Sequence, residues 1–541
     1  MSLFRGTAIT GGLTLVSRVL GFIRDLLVAR LFGASPLADA YFVAFRIPNL
    51  LRSFVAEGAL NSAFVPVFVS KMAHGEEQRN AAFRSAIGFV LALSGALTLL
   101  GIWLAPFLVP LIAPGFAGDS AAGADKLALT VELTRIMFPL LVCVSVVAAI
   151  GGALNALKVF GAPATAQIFM NLSLIVGALL AAHSDQPIFV LAWSVTIGGV
   201  VQILVQLPAL RRARLPLLPV ARLDGAVIRP IVKLLLPATL GAAVYQGTIF
   251  LATVFASLIG DGAVSWLFYA DRLAQLPVGI FSIALASVLL PLLAKAKVAN
   301  DTQAFNAQLT RSLRWTSFVL VPVTVWLWLS AEPLARMLFE RGSFTVRDSE
   351  MTALALQGLA FGLWAMSCQS MLTRAFIASS DTKTPSWLGV LGLFAYVGSA
   401  FCLTAELREF VFGDAAARLA GVLGDFGHVG LALSSSLSAG LTLIICAAIA
   451  RRRFESLKLG GFVASTCSAL FAACAGVVAY SQAISILGQH GFAAHSVVAQ
   501  CAGAAGFAAA QLAALVLVRS RELSELRVLV VSKWSTDRSR L

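Results

Sequence analysis

Long apolar stretches separated by short polar connections run along the whole chain. Each stretch is close to the length of about 20 residues that a helix needs to cross the hydrocarbon core of a bilayer. The pattern predicts fourteen transmembrane helices, near 6–32, 37–69, 85–113, 132–157, 163–183, 187–210, 231–259, 264–294, 313–335, 351–378, 386–405, 427–450, 461–487 and 496–518. We therefore expect an all-α polytopic membrane protein.

Composition and charge support this interpretation. The 541 residues are 59% hydrophobic and only 12% charged, whereas about 25% of residues are charged in soluble globular proteins. With a cytoplasmic N-terminus, the inner segments hold 26 of the 40 Lys and Arg residues, and the outer loops hold 6, among them Lys126. The positive-inside rule then predicts that both termini are cytoplasmic. No basic tract is interleaved with aromatic residues, so the net charge of +14 gives no support for a nucleic-acid partner.

Two pairs of segments resemble each other at nearly the same offset, which predicts an internal duplication. Residues 41–71 resemble 269–295, and residues 153–163 resemble 372–385. Because six helices return the chain to the same side of the membrane, two such copies would form two lobes around a central cavity. The predicted domains are an N-terminal lobe at 1–220 (helices 1–6), a C-terminal lobe at 226–455 (helices 7–12), two extra helices at 460–519, and a basic tail at 520–541 that we expect to be frayed.

Charged residues interrupt the first two predicted helices. Even lenient insertion scales assign about 3 kcal/mol to a charge at the centre of a membrane helix, so such residues usually face a partner or a water-filled path. At about 100° per residue, Asp39, Arg46 and Glu57 share one face of the second helix, flanked by Asn49 and Arg52. The alternative for any single charge is pairing with a neighbour or snorkelling from a helix end.

Two further helices carry polar stripes. On the first helix, Ser17 and Gly21 line up with Arg24, so small residues leave room beside the guanidinium. On the eighth helix, Ser265, Arg272 and Gly279 are spaced by seven residues. Asp271 lies on a different face of that helix, so we expect it to pair locally or to face another helix.

The buried charges are mostly positive. Within the predicted membrane segments, eight arginines stand against four acids: Arg18, Arg24, Arg30, Arg46, Arg52, Arg135, Arg272 and Arg374 against Asp25, Asp39, Glu57 and Asp271. The planar guanidinium fork matches phosphate oxygens, so Arg24, Arg52 and Arg272 suit a diphosphate. We expect an anionic headgroup as the ligand.

Enzyme motifs are missing from the sequence. It has no Walker A loop, no G-x-G-x-x-G fingerprint, no HExxH zinc motif and no G-x-S-x-G nucleophile elbow. The five histidines form no paired-ligand pattern, so no metal site and no cofactor are predicted. These observations favour a transporter over an enzyme.

Several segments resemble the MurJ (MviN) lipid II flippases, members of the multidrug/oligosaccharidyl-lipid/polysaccharide exporter superfamily. The most specific are SRVLGFIRDLLVARLFG (17–33), DAYFVAFRIPNLLRSFVAEGAL (39–60), APGF (113–116), VSWLFYADRLAQLPVGIF (264–281) and DTKTP (381–385). The resemblance implies a multi-pass protein of the bacterial inner membrane that moves lipid II, the undecaprenyl-diphosphate-linked disaccharide-pentapeptide, from the cytoplasmic to the periplasmic leaflet by alternating access. It also implies that helices thirteen and fourteen form a groove for the polyprenyl tail.

Site residues follow from the charge pattern and from this resemblance together. We predict that substrate is bound by Arg24, Arg52, Arg272, Arg18, Asn49 and Ser265. We predict that gating or cavity charge is supplied by Asp39, Arg46, Glu57, Asp25 and Asp271. Some relatives bind sodium through acidic residues on helices seven and eleven, but 231–259 and 386–405 contain no Asp or Glu here, which argues against sodium coupling. Membrane potential, about 2.3 kcal/mol per charge per 100 mV, is an alternative energy source.

Three other functions compete with this interpretation. A flippase for another polyprenyl-diphosphate saccharide, such as an O-antigen or capsule unit, would suit the same arginines. A multidrug or cation antiporter is disfavoured by the positive interior. A scaffold for cell-wall synthesis proteins, bound through the basic tail, would leave the buried charges unexplained. Membrane lipids are expected to surround the protein in every case.

Overall fold

The computed structural model describes residues 3–55, 59–117, 121–217, 224–412, 425–454, 457, 459–518 and 520–525, with only the backbone at 3–10, 53–55, 59, 61, 62 and 236–245. All regular secondary structure in these residues is helical. The first nine α-helices are α1 (Leu3–Phe32), α2 (Pro36–Val55), α3 (Ala59–Met72), α4 (Glu76–Ile112), α5 (Ala121–Met137), α6 (Leu140–Ala156), α7 (Gly161–Ala181), α8 (Pro187–Arg212) and α9 (Gly225–Ile259). The remaining helices are α10 (Ala263–Pro277), α11 (Ile283–Val298), α12 (Thr302–Leu329), α13 (Ala331–Phe339), α14 (Val346–Ala378), α15 (Lys383–Leu403), α16 (Ala405–Phe412), α17 (Gly427–Arg453), α18 (Gly460–Gln489) and α19 (Val497–Leu517).

Eleven helical stretches of the described chain are long and apolar enough to cross a membrane. In order, they correspond to eleven of the fourteen predicted helices. The three others are the first, second and seventh, which fall on α1, on α2 with α3, and on α9. Charges interrupt the apolar stretch in α1 and α2, and α9 contributes a shorter apolar helix, Gln246–Ile259. The all-α membrane fold is therefore confirmed, and the count of fourteen stays a prediction.

Several helices begin earlier than their apolar pattern does. The structure starts α4 at Glu76, α5 at Ala121 and α12 at Thr302, each about three turns before the predicted span. At α12 the Asp301 side chain caps the helix by accepting a hydrogen bond from the amide of Ala304 at 2.8 Å. Hydropathy marks where a helix enters the membrane, whereas capping marks where the helix itself begins.

The chain divides into two compact units. Unit 1 contains Met1–Ser265 and Arg341–Phe344, and unit 2 contains Trp266–Glu340 and Thr345–Leu541. Helix α9 thus belongs to unit 1, where it packs against α3 and α4. The predicted duplication assigns the same residues to the C-terminal lobe, but sequence ancestry and packing are separate properties. The predicted lobe boundaries therefore stay a prediction.

Each unit has its own apolar core. In unit 1, side chains from α3, α4, α6, α8 and α9 pack together, among them Phe68, Phe83 and Ile150. In unit 2 the core joins α11, α12, α14, α15 and α17, and includes Leu309 and Leu443. These cores fix the helices that carry the polar residues described below.

The segment Arg341–Phe344 is attached to the end of α1. The amide of Ser343 donates to the carbonyl of Arg30 at 2.9 Å. Gly342 has a φ of +64°, and a Cβ there would lie 2.3 Å from the Arg30 carbonyl oxygen. Only glycine fits this position, because any side chain would clash with the backbone.

Two features of the structure bear on the sequence expectations. Residues Val278–Ser282 form a π-helical turn after α10, so the helical period that relates Gly279 to Ser265 and Arg272 changes within this turn. The start of the basic tail is not frayed, because residues 521–525 are helical and Glu522 is buried. The Nε of Arg314 on α12 donates to Glu522 Oε1 at 2.6 Å.

Candidate functional site

Arg24 on α1 forms a polar cluster inside unit 1. Its Nε and one terminal nitrogen donate to Asp25 Oδ1 at 2.9 and 2.7 Å, and its other terminal nitrogen donates to Asn171 Oδ1 at 3.2 Å. The Arg24 side chain is 13% exposed, and that of Asp25 is 4% exposed. The predicted residues Arg24 and Asp25 therefore form a charge-assisted pair.

Asn171 on α7 is a member of this cluster that sequence reasoning missed. Its Nδ2 donates to the Ser17 carbonyl at 2.9 Å and to the Ser17 hydroxyl at 3.1 Å. Since these contacts occupy the amide nitrogen, the amide oxygen is aimed at Arg24. The available signal was an Asn near the middle of a mostly apolar membrane helix, a residue type that commonly bonds between helices.

Asp39 on α2 forms a second polar cluster. The side chain is fully buried. Its Oδ1 accepts from the Ser265 amide at 3.0 Å and hydroxyl at 2.6 Å, and its Oδ2 accepts from the Gly262 amide at 2.7 Å. The structure thus brings together two predicted residues, Asp39 and Ser265, that are 226 positions apart in sequence.

Lys126 completes this second cluster. This lysine was predicted to lie in an outer loop, but it is buried on α5. Its Nζ is 3.1 Å from Asp39 Oδ2 and 2.6 Å from Asp261 Oδ1. Lys126, Thr130 and Thr134 are all buried at a spacing of four residues. That polar stripe was the signal in the sequence, because it has the helical period used to interpret α2.

The other predicted residues of unit 1 lie on α1 and α2. Arg46 donates to the hydroxyl of Thr253 on α9 at 2.6 Å. Arg18, Asn49 and Arg52 are half-buried. Glu57 lies outside the described residues.

In unit 2, helix α10 carries two predicted site residues. The guanidinium carbon of Arg272 lies 4.7 Å from the centroid of the Phe268 ring, in a cation–π contact. Asp271 accepts a hydrogen bond from the Gln275 side chain one turn later. Of the two expectations for Asp271, local pairing or facing another helix, this contact supports the first.

The N–H donors of Arg24 determine which ligands the first cluster can bind. Within the described residues, three of the five N–H donors of Arg24 have protein acceptors, which leaves donors for a ligand anion. Among the same residues, no group of three or more His, Cys, Asp or Glu side chains is arranged to hold a metal ion. The unused donors of Arg24 suit the binding of an anion.

The DTKTP segment is a capped turn before α15. Asp381 accepts from the Thr384 amide at 3.0 Å and from the Thr384 hydroxyl at 2.7 Å. These hydrogen bonds lower the pKa of the Asp381 carboxyl below its ordinary value. This side chain therefore stabilises the helix start as a carboxylate.

The described residues form an all-helical membrane protein with arginines among its helices, the arrangement expected of a membrane transporter. Comparison with known proteins gives its family. The family profile described as Lipid II flippase MurJ matches residues 28–503. The chain belongs to the MurJ family of lipid II flippases, as the sequence predicted, and is a transporter rather than an enzyme.

Individual relatives agree with this assignment. The chain is 36% identical over 451 residues to Lipid II flippase MurJ of Burkholderia cenocepacia, a match that covers 82% of this chain and 83% of that protein. It is 38% identical over 415 residues to a probable lipid II flippase MurJ of Rhizobium meliloti, covering 75% and 76%. Both matches span most of each protein.

Solved structures show the same fold. A lipid II flippase MurJ in an inward closed conformation superposes with a TM-score of 0.74 at 22% identity, covering 95% of this chain and 99% of that chain. An inward-facing multidrug resistance MATE family transporter of the MOP superfamily superposes with a TM-score of 0.64 at 15% identity, covering 82% and 96%. At these identities the similarity concerns the fold alone.

Proposed function

We propose that this protein moves lipid II from the cytoplasmic to the periplasmic leaflet of the bacterial inner membrane by alternating access. The observation that carries the proposal is the family match over residues 28–503. Those residues include Arg52 and Arg272, whereas Arg24 lies four residues before them. The role of Arg24 is supported instead by its geometry on α1.

In this proposal, Arg24, Arg52 and Arg272 bind the diphosphate of the headgroup in a cationic cavity. Arg24 is supported by its fixed orientation, since Asp25 and Asn171 hold two sides of the guanidinium. Arg272 is supported by the aromatic face of Phe268, which lies 4.7 Å from its guanidinium carbon and stabilises the cation. Arg18, Asn49 and Ser265 supply additional polar contacts, and Asp39, Arg46, Glu57, Asp25 and Asp271 supply gating or cavity charge.

We also propose that both termini are cytoplasmic. The excess of Lys and Arg in the inner segments supports this orientation. The tail at 520–541 is then cytoplasmic, and we propose cell-wall synthesis proteins as its partners.

Helices α18 and α19 are proposed to accommodate the polyprenyl tail. They pack against each other, and the Tyr480 hydroxyl donates to Gln500 Oε1 at 3.0 Å between them. Leu470, Phe471 and Val478 on α18 are exposed and apolar. A photoreactive polyprenyl-diphosphate analogue should therefore label α18, and labelling confined to other helices would contradict this assignment.

The central experiment measures how much lipid II reaches the outer leaflet in proteoliposomes. It compares wild type with Arg24→Ala, Arg52→Ala and Arg272→Ala. Matched controls are Arg30→Ala on α1 and Arg347→Ala on α14, which remove exposed arginines. We expect the three site variants to lose outward movement while the controls keep it.

Two results would change the proposal. Undiminished movement in all three site variants would refute the arginine site. A wild-type protein that moved another polyprenyl saccharide but no lipid II would keep the transporter class and refute the substrate. Drug export coupled to an ion gradient would instead favour an antiporter.

A further inference from the structure

The buried carboxylate of Asp39 occupies the place of a helix cap. Helix α10 begins at Ala263, and the amides of Gly262 and Ser265 are among the donors that a helix start leaves without intrahelical partners. Both donate to Asp39, at 2.7 and 3.0 Å. A side chain from α2 thus caps α10, and its negative charge also suits the positive end of the helix dipole.

A fully buried carboxylate requires a compensating cation, because burying an unpaired charge is costly. Lys126 is the cation that contacts Asp39 among the described residues, at 3.1 Å. Its second carboxylate partner, Asp261, has a side chain that is 66% exposed and hence hydrated. The pair that matters inside the protein is therefore Lys126 with Asp39.

The APGF motif (113–116) contacts this lysine. Residues Pro114–Phe116 form a 3-10 turn after α4. The Lys126 ammonium lies 3.9 Å from the centroid of the Phe116 ring. The ring supports the cation through its negatively polarised face and keeps water from that side.

The same motif also fixes the end of α9. A Cβ at Gly115 would lie 2.0 Å from the carbonyl oxygen of Ser257, so only glycine permits this approach. The Gly115 amide also donates to the Ser257 hydroxyl at 3.3 Å. The turn that supports Lys126 therefore packs directly against the last turns of α9, just before Asp261 and Gly262.

From these contacts we propose that Lys126 is a positioning residue for transport. Seated on Phe116, it holds the Asp39 carboxylate in place and so fixes the first turn of α10, the helix that carries Arg272. We call Lys126, Asp39, Phe116, Gly262 and Ser265 the α5 latch. The transport role of the latch rests on the proposed function, whereas its capping role does not.

The test uses the full-length protein in nanodiscs and measures backbone hydrogen exchange in peptides covering 260–268. Lys126→Met keeps the side-chain length and removes the charge, so we expect faster exchange in this peptide. Outward movement of lipid II in proteoliposomes should fall about tenfold, since Asp39 is left buried without its cation. Lys126→Arg keeps the charge and should restore both quantities to within about twofold of wild type.

Swapping the two charged residues distinguishes a helix cap from a simple ion pair. Lys126→Asp combined with Asp39→Lys keeps two opposite charges but replaces the acceptor of the Gly262 and Ser265 amides with a donor. We expect this double variant to remain defective in exchange protection and in transport. Recovery of both would overturn the capping role.

Two controls keep the test decisive. Asp261→Asn removes only the hydrated partner and should leave exchange in 260–268 within about twofold of wild type. If Lys126→Met cannot be recovered from membranes, Phe116→Leu removes the ring under the ammonium and should raise exchange about threefold.

The outcomes distinguish this inference from the proposed function. Unchanged exchange in 260–268 for Lys126→Met, or for Phe116→Leu in its place, would overturn the latch even if lipid II transport were established. Faster exchange with rescue by Lys126→Arg would support it even if wild type moved no lipid II. Uniformly faster exchange in all helices of Lys126→Met would indicate general destabilisation and overturn a local role.

Discussion

Arg24 and Lys126 are both cations inside unit 1, but their surroundings differ. Arg24 is paired with the adjacent residue Asp25 and retains donors beyond those used by its protein partners. Lys126 lies between two carboxylates and an aromatic ring. A charge among membrane helices can therefore have two kinds of surroundings. Arg24 keeps N–H donors that have no acceptor among the described residues, whereas Lys126 links α5 to α2 through Asp39.

The largest expected effect concerns the second polar cluster, which is centred on Asp39. Asp39→Ala leaves the amides of Gly262 and Ser265 without their acceptor and weakens the pairing of Lys126. Breaking a buried ion pair in this way costs about 3–5 kcal/mol in the free energy of unfolding. Thermal unfolding in detergent should show the loss, and Asp261→Asn should show little by comparison. Equal midpoints for the two variants would mean that Asp39 is not the centre of the cluster.

A second prediction tests the Arg24 cluster, in which the guanidinium keeps N–H donors that have no acceptor among the described residues. Arg24→Lys keeps the charge but loses the planar fork that contacts both Asp25 and Asn171. We expect lipid II movement to fall about thirtyfold, corresponding to about 2 kcal/mol, with little change in unfolding. The measurement is transport per correctly inserted molecule. Full activity of the lysine variant would show that charge alone suffices at this position.

Asn171 gives a smaller effect in the same cluster. Asn171→Ala removes the amide oxygen that orients Arg24 and the two bonds to Ser17, each worth about 1 kcal/mol. We expect transport to fall about tenfold while Arg24 remains charged. Ser173→Ala, which removes an exposed hydroxyl from the same helix, is the matched control. The idea fails if the control and Asn171→Ala behave alike.

The smallest effect concerns Asp381, a half-buried carboxylate that contrasts with the fully buried Asp39. Its pKa is lowered by hydrogen bonds from Thr384, so its stabilising contribution is complete above the ordinary Asp pKa and is lost as pH falls through the lower folded-state value. Stability should exceed that of Asp381→Asn slightly at pH 7, and the difference should vanish in strong acid. A difference that grew on acidification would contradict this sign.

Some parts of the site could be predicted because the pattern is local. Arg24, Asp39 and Arg272 stand out as charges within apolar runs, and the helical period places Asp271 within reach of Gln275 one turn later. The family was recognisable from short motifs such as SRVLGFIRDLLVARLFG. Each of these inferences needs only residue spacing and the cost of a charge in lipid.

Other parts depend on distant residues and were missed. The stripe that Lys126 forms with Thr130 and Thr134 indicates a polar helix face, but it does not show what that face packs against. The place of Lys126 follows from Asp39, Asp261 and Phe116, which lie on three other segments. Asn171 likewise acquires its role only through Ser17 and Arg24 on another helix.

The membrane class and the family could be predicted from the amino-acid sequence alone. So could the eleven helices that, among the described residues, are long and apolar enough to span a membrane. Hydropathy and periodicity act within one segment, so they can be read without knowing what lies beside it. Which cation is paired by protein carboxylates, and which keeps N–H donors without an acceptor among the described residues, depends on the folded structure, as Lys126 and Arg24 show. The physical reason is that burial makes a charge depend on its partners, and those partners come from helices far apart in the chain.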